Sequence, residues 1–190
     1  MNKAALRKYY LAKRNQLDEK QLILLNEKIR DQFLLYFDDL QVNVVHTFLP
    51  IARKKEIDTR SILEAMKTKM PALKVVISKS DMQSREMISY LFDENTLLET
   101  NKWGIPEPVD AHEVDDLDID LVLVPLLAFD KSGHRVGYGM GFYDRFLKKC
   151  RPDIIKVGLC LEPPVAAIPD AHAYDVTLDY CVTPERVYVF

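Results

Sequence analysis

Apolar and polar positions along the 190-residue chain change period several times, and those changes divide it into elements. Residues 3 to 16 lack glycine and proline and predict a helix. Residues 19 to 37 predict a second, because Leu22, Leu25, Ile29 and Phe33 recur at helical spacing behind Asp18 as N-cap. VNVVHTFLP (42–50) reads as a strand ending at Pro50, and EIDTRSILEAMKTKM (56–70) as a helix capped by Asp58 or Thr59. LKVVISKS (73–80) and the more alternating MISYLF (87–92) read as strands. Residues 93 to 118 are acidic and loop-rich. DLVLVPLLAFD (120–130) is a continuous apolar run, the pattern of a strand buried on both faces, and DIIKVGLCL (153–161) repeats it. FYDRFLKKC between them reads as a helix, and DYCVTP (179–184) as a last short strand. Strands alternating with helices predict one α/β domain around a mostly parallel sheet.

Charge adds one local feature. The net charge is only −3, which gives no general attraction to nucleic acid or anionic membrane. Yet Lys3, Arg7, Lys8, Lys13 and Arg14 all precede the first acid, Asp18. On a helix, Lys3, Arg7 and Arg14 fall within roughly 40° of one another and share a face with Tyr10. That stripe is either a solvated face or a clamp for polyphosphate. Cys150, Cys160 and Cys181 make no C-x-x-C pair and no even framework, so free thiols in a reducing compartment are expected. No apolar signal segment opens the chain, and no apolar run is long enough to span a bilayer as a helix. A cytoplasmic protein working without membrane or nucleic acid is the expectation, and a monomer.

Chemistry concentrates in HRVGYGMGFYDRFL (134–147). Gly137, Gly139 and Gly141 are half of the chain's six glycines, and they stand between a buried strand and a helix, where α/β folds place ligands. The spacing G-x-G-x-G is neither a Walker loop nor a dinucleotide fingerprint. It is either a tight turn or a place where backbone N–H groups approach a phosphate. Asp144 opens the following helix, as a dipole-stabilising acid or as a ligand for Mg²⁺ beside a phosphate, and Arg135 and Arg145 flank the loop as possible phosphate forks. Asp175 and Asp179 are alternative second carboxylates. Glu56 is read as starting a helix, and Trp103, the only tryptophan, lies in a loop. The four histidines have no ligand spacing, and there is no G-x-S-x-G.

Together, KAALR at the N-terminus, KWGIPEP (102–108) and VPLLAFDKSGHRVGYGMGFYDR resemble the 5-formyltetrahydrofolate cyclo-ligase family, over nearly the whole chain. The resemblance implies a single-domain three-layer α/β/α sandwich. It implies conversion of 5-formyltetrahydrofolate, with or without a polyglutamate tail, to 5,10-methenyltetrahydrofolate, with ATP as co-substrate, Mg²⁺ as cofactor, and release of ADP and phosphate. It makes Lys3, Ala4, Ala5, Leu6 and Arg7 an ATP-contacting motif. Arg135, Val136, Gly137, Tyr138, Gly139, Met140, Gly141, Phe142 and Tyr143 become the ATP loop, of which Tyr138 to Phe142 also border the folate. Leu49, Glu56 and Trp103 are implied to contact folate, Asp144 and Asp175 to bind the metal, and Arg135, Tyr143 and Arg145 to serve the chemistry. Two competing expectations are a non-catalytic folate or nucleotide-binding regulator, and an ATP-independent enzyme on a similar sheet, such as a sugar-phosphate isomerase or a CoA transferase.

Overall fold

A computed structural model describes all of residues 1–190. Helix α1 (Lys3–Asn15) begins at Asn2, whose side chain accepts from the Ala5 N–H. Helix α2 (Glu19–Tyr36) starts with a capping box, in which Asp18 accepts from the Gln21 N–H and the Gln21 side chain accepts from the Asp18 N–H. After them come β1 (Val44–His46), α3 (Arg60–Lys69), β2 (Lys74–Asp81), β3 (Glu86–Phe92), β4 (Leu97–Thr100), β5 (Pro106–Val109), β6 (Leu121–Pro125), β7 (Ala128–Phe129) and β8 (Arg135–Val136). Helix α4 (Phe142–Lys149), β9 (Ile155–Leu159), β10 (Tyr180–Val182) and β11 (Val187–Val189) complete the chain.

Seven strands form the main sheet in the order β11-β10-β9-β6-β1-β2-β3. Its five central strands are parallel, and the two edge strands, β11 and β3, are antiparallel to their neighbours. Successive residues of the central strands face opposite sides, so one sheet supplies two cores. Val45, Val75, Leu121, Leu123, Val157 and Leu159 pack against α2 and α3 through Ile29, Phe33, Ile62 and Met66. Val44, Val76, Val122, Val124 and Cys181 face the other way, onto Phe146 and Leu147 of α4. This is the three-layer α/β/α arrangement on a mostly parallel sheet. No helix is long and apolar enough to cross a membrane.

Several sequence-based boundaries move. Strand β1 covers only three residues rather than 42–50, because its partner β6 pairs with Val45 and His46 alone. The apolar run 120–130 is two strands. Its ladder with β9 ends at Pro125, and Ala128 and Phe129 pair instead with Arg135 and Val136 in a hairpin. The β4–β5 hairpin and β11 were not expected from the sequence. Their short or exposed segments carry too little alternation to mark them.

The three cysteines are free and buried. Burial pushes the Cys150 and Cys160 thiols up to about 12, which keeps them in the unreactive thiol form. Gly158, in β9, has a packing role. A Cβ there would lie 2.6 Å from Leu178 Cδ1 and 2.7 Å from Leu126 Cδ2. Gly158→Ala therefore overpacks the core by about 1–3 kcal/mol. In thermal melts this lowers Tm by roughly 2–4 °C per kcal/mol; an unchanged Tm would show that both leucines can swing aside.

Candidate active site

The C-terminal ends of β1, β2 and β6, the glycine segment and the start of α1 enclose a cleft of about 850 Å³. Ligands of open parallel sheets sit outside the carboxyl ends of the strands. Helix α1 reaches the cleft because its apolar side is anchored first. Leu6 is buried against Ala128, Val136 and Ile168, beside the β7–β8 hairpin. That anchoring turns Lys3, Arg7 and Leu11 into the cleft. Ala4 and Ala5 point to solvent and Leu6 into the core, so of the five residues in the N-terminal motif only Lys3 and Arg7 line the site.

The basic stripe of α1 is not a solvated face. Arg7 donates from Nε to the Gly137 carbonyl at 2.9 Å. Arg14 is buried and donates to the Leu126 carbonyl at 2.8 Å and to the Tyr138 hydroxyl at 3.4 Å. Arg14 therefore fixes the base of the glycine segment rather than clamping a ligand. Tyr10 packs beside Leu6. Lys3 donates through Nζ to Asp175 Oδ2, and its backbone N–H donates to the Asp170 carboxylate at 2.8 and 3.0 Å.

Two of the three glycines are required by backbone conformation. Gly139 and Gly141 have φ of 92° and 69°, the left-handed region that favours glycine. A Cβ on Gly139 would also stand 2.9 Å from the Arg7 guanidinium carbon. Gly137 has open space at its Cβ position. Gly141 is the N-cap of α4 without a capping side chain, so the first-turn N–H groups of that helix are left for another partner. The segment follows the β7–β8 hairpin rather than the long buried strand.

Arg135 is the buried cation of the cleft. It donates to Asp144 Oδ1 at 2.7 Å and to the Val176 carbonyl. Burial lowers its pKa, opposed by the nearby charges of Asp144 and Asp175. Asp144 Oδ1 also accepts from the Val176 N–H at 3.1 Å. Asp175 Oδ2 takes Lys3 and, at 2.6 Å, the His172 N–H. Burial acts to raise Asp175, but those two hydrogen bonds and the Lys3 charge outweigh it and hold the carboxyl below its ordinary range. In each of these acids one oxygen is tied and the other accepts no protein hydrogen bond. Such half-free carboxylates, two to a site, suit Mg²⁺, which takes one or two carboxylates and completes its shell with phosphate and water oxygens.

Asp179 is not part of this site: it accepts from the Lys156 N–H at 2.7 Å and pairs with the Lys156 ammonium at 2.8 Å, away from the cleft. Arg145 also turns away. It donates to the Arg85 carbonyl at 2.8 Å and the Met140 carbonyl at 2.6 Å, and it does not line the cleft, so its assignment as a catalytic fork is not supported by its position.

The rest of the wall is apolar and aromatic. Phe48, Leu49, Ile51, Trp103, Ile105 and Met87 line it, with Tyr138 and Phe142 from the glycine segment. Trp103 is set by Asn101, whose side-chain oxygen accepts from the Trp103 N–H at 2.9 Å and the Ile105 N–H at 3.1 Å. Glu56 precedes α3 by four residues instead of starting it. Its buried carboxylate accepts from the Ile51 N–H at 2.7 Å and lines the cleft. Lys54 lies 3.9 Å over the Tyr138 ring. Burial raises the phenol of Tyr138, with Glu56 adding to it, and burial likewise raises that of Tyr143, so both stay protonated in neutral solution.

Of the cleft residues that the sequence does not mark, His46 and Ser78 are a polar pair in direct contact. His46 Nε2, at the end of β1, and Ser78 Oγ, within β2, lie 2.7 Å apart, and both line the cleft. A histidine inside the apolar run VNVVHTF was the available signal, since a polar residue at the carboxyl end of a buried parallel strand sits where ligands bind.

Comparison with known proteins gives a consistent result. The sequence model of the 5-formyltetrahydrofolate cyclo-ligase family matches residues 1–184. A probable 5-formyltetrahydrofolate cyclo-ligase of Schizosaccharomyces pombe is 35% identical over 150 residues, covering 70% of this chain and 72% of the relative. The solution structure of a 5,10-methenyltetrahydrofolate synthetase of Aquifex aeolicus superposes with a TM-score of 0.75 at 28% identity, over 100% of this chain and 93% of that one. A 5,10-methenyltetrahydrofolate synthetase of Mycoplasma pneumoniae shares the fold, with a TM-score of 0.72 at 24% identity over 96% of this chain and 98% of that one.

Proposed function

The chain belongs to the 5-formyltetrahydrofolate cyclo-ligase family, and we propose that its cleft converts 5-formyltetrahydrofolate to 5,10-methenyltetrahydrofolate, using ATP and Mg²⁺ and releasing ADP and phosphate. The observation that carries this reading is the composition of one continuous cleft. It holds a cationic and carboxylate group (Lys3, Arg7, Arg135, Asp144, Asp175) and an aromatic wall with Trp103, joined by the glycine segment. Polyphosphate and a flat heterocycle need those two environments side by side.

In this reading the formyl oxygen attacks the γ-phosphorus of ATP and ADP departs. N10 of the same folate then attacks the activated carbon and closes the ring, N10 gives up its proton to water, and the C–O bond breaks to release phosphate and leave the methenyl bridge. Phosphoryl transfer asks a protein mainly for alignment and neutralisation of developing charge. Arg135 supplies a fixed, dry positive charge. The Gly137–Gly141 backbone and the uncapped first turn of α4 supply N–H donors. Lys3 and Arg7 close the phosphate side from α1. Trp103, Leu49 and Phe48 hold the folate ring and keep water from the activated formyl group. Asp144 and Asp175 would hold Mg²⁺ through their unbonded oxygens, and the ion would supply charge neutralisation at the phosphate oxygens.

The direct test is incubation of the protein with 5-formyltetrahydrofolate and Mg·ATP, following methenyl product by absorbance and ADP by a coupled assay. Product and ADP in equal amounts are expected. Product without ATP consumption, or no product, would overturn the reading. A narrower test concerns α1. Replacing Lys3 and Arg7 together by alanine raises the KM for ATP by about 10-fold or more, since each lost charge-assisted contact is worth roughly 1.5–3 kcal/mol. An unchanged KM would return both side chains to a purely structural role.

A further inference from the structure

His46 and Ser78 form a pair that the site as described so far does not use. His46 is fully buried, yet it lines the cleft floor at the end of β1. Its ring packs on Phe146 at 4.6 Å between centroids and edge-on to Tyr143 at 6.1 Å. Burial pushes its pKa down to about 3, so the imidazole is neutral in any ordinary buffer. A neutral imidazole has one N–H and one bare nitrogen. Nδ1 is buried with no hydrogen-bond partner, while Nε2 faces Ser78 Oγ.

Those facts choose the tautomer. A buried N–H without an acceptor is rarer and costlier than a buried lone pair without a donor. The proton therefore sits on Nε2 and is donated to Ser78 Oγ. Ser78 then has its oxygen engaged and its own O–H free. The Ser78 hydroxyl makes no other hydrogen bond, and Ser78 lines the cleft.

We propose that His46 and Ser78 form a positioning pair, in which buried His46 fixes the Ser78 hydroxyl so that its proton donates to an acceptor on the edge of the bound heterocycle, a carbonyl oxygen or ring nitrogen. This deepens the folate reading above and rests on it. A serine hydroxyl ordinarily rotates to suit its surroundings. Here the bond accepted from His46 removes one of the hydroxyl's staggered positions before the ligand arrives, and Ser78 lines the cleft together with the apolar wall that takes the flat ring. Ser78 Oγ makes no hydrogen bond to Lys3, Arg7, Arg135 or either aspartate, so the pair is assigned to the ring rather than to the phosphates.

The experiment measures binding and turnover separately. Trp103 is the only tryptophan and lines the cleft, so quenching of its emission by 5-formyltetrahydrofolate reports binding without chemistry. Ser78→Ala is expected to weaken folate binding and raise its KM by about 5- to 10-fold, with the KM for ATP unchanged and Tm lowered by a few degrees, because the buried His46 Nε2–H loses its acceptor. Ser78→Thr, which keeps the hydroxyl, restores most of the affinity. His46→Phe, which keeps a ring against Phe146, shows a smaller loss in folate affinity because the hydroxyl is present but no longer fixed. Folate affinity of Ser78→Ala equal to wild type overturns the inference, as does an equal loss in ATP affinity. If the wild-type protein neither binds nor turns over 5-formyltetrahydrofolate, the functional reading falls, and this inference falls with it.

Discussion

Asp144→Asn lowers methenyl formation by roughly 100-fold or more while the protein still unfolds cooperatively. The magnitude follows from what asparagine keeps and what it loses. Its side-chain oxygen can still accept from Arg135 and the Val176 N–H, which Asp144 Oδ1 now takes at 2.7 and 3.1 Å. The local backbone is therefore held. The negative charge is gone, and with it the oxygen that is free to meet Mg²⁺. Arg135 keeps Asp175 as a nearby opposite charge, so it is not stranded as an uncompensated buried cation. The expected signature is a large fall in turnover, a higher Mg²⁺ concentration for half-maximal rate, and a small change in Tm. Turnover near the wild-type value at limiting Mg²⁺ would remove Asp144 from the metal site.

The second large effect is on stability and comes from acid. His46 resists protonation in the folded protein down to about pH 3, whereas an unfolded histidine takes its proton near 6.5. Between those values the unfolded chain binds one more proton than the folded one. Stability therefore rises with pH across that window and is lost as pH falls, by about 1.4 kcal/mol per unit. From pH 6.5 to 4.5 the loss from this one residue approaches roughly 2–3 kcal/mol, a substantial part of the ~5–15 kcal/mol that holds a domain together. Asp175 works in a separate range. Its carboxyl is held below the usual value, so its contribution is present above the ordinary carboxylate pKa and is lost only as pH falls below it. Urea melts of wild type and His46→Phe at pH 6.5 and 4.5 isolate the histidine. The wild type loses the extra 2–3 kcal/mol and the variant does not; parallel losses in the two proteins would show that His46 protonates without unfolding.

His46 also shows why part of the site was hidden in the sequence. Gly139, Gly141, Asp144 and Arg135 stand within ten residues, and their order around a strand and a helix start marks them without any tertiary information. His46 and Ser78 are 32 residues apart and meet only because β1 and β2 pair in parallel with His46 beside Val76. The positions of Arg145 and Arg14 are not legible in the sequence for a related reason. Both are cations near the glycine segment in sequence or on the right helix face. Which carbonyl a guanidinium reaches depends on the packing of Leu6 and on the turn at Met140, and periodicity does not contain that information.

The sequence by itself determined the alternation of strand and helix, the two buried strands, the capped start of α2 and the concentration of glycines and charges before α4. Those are local properties, fixed by side-chain period, capping chemistry and the left-handed backbone that glycine tolerates. Only the tertiary structure decided that the apolar run at 120–130 breaks at Pro125, that α1 lays Lys3 and Arg7 over the glycine segment, that Asp175 rather than Asp179 faces Arg135, and that Arg145 points elsewhere. Each of these depends on contacts between residues far apart in the chain, where burial and hydrogen-bond satisfaction select one partner among several that the sequence leaves equivalent.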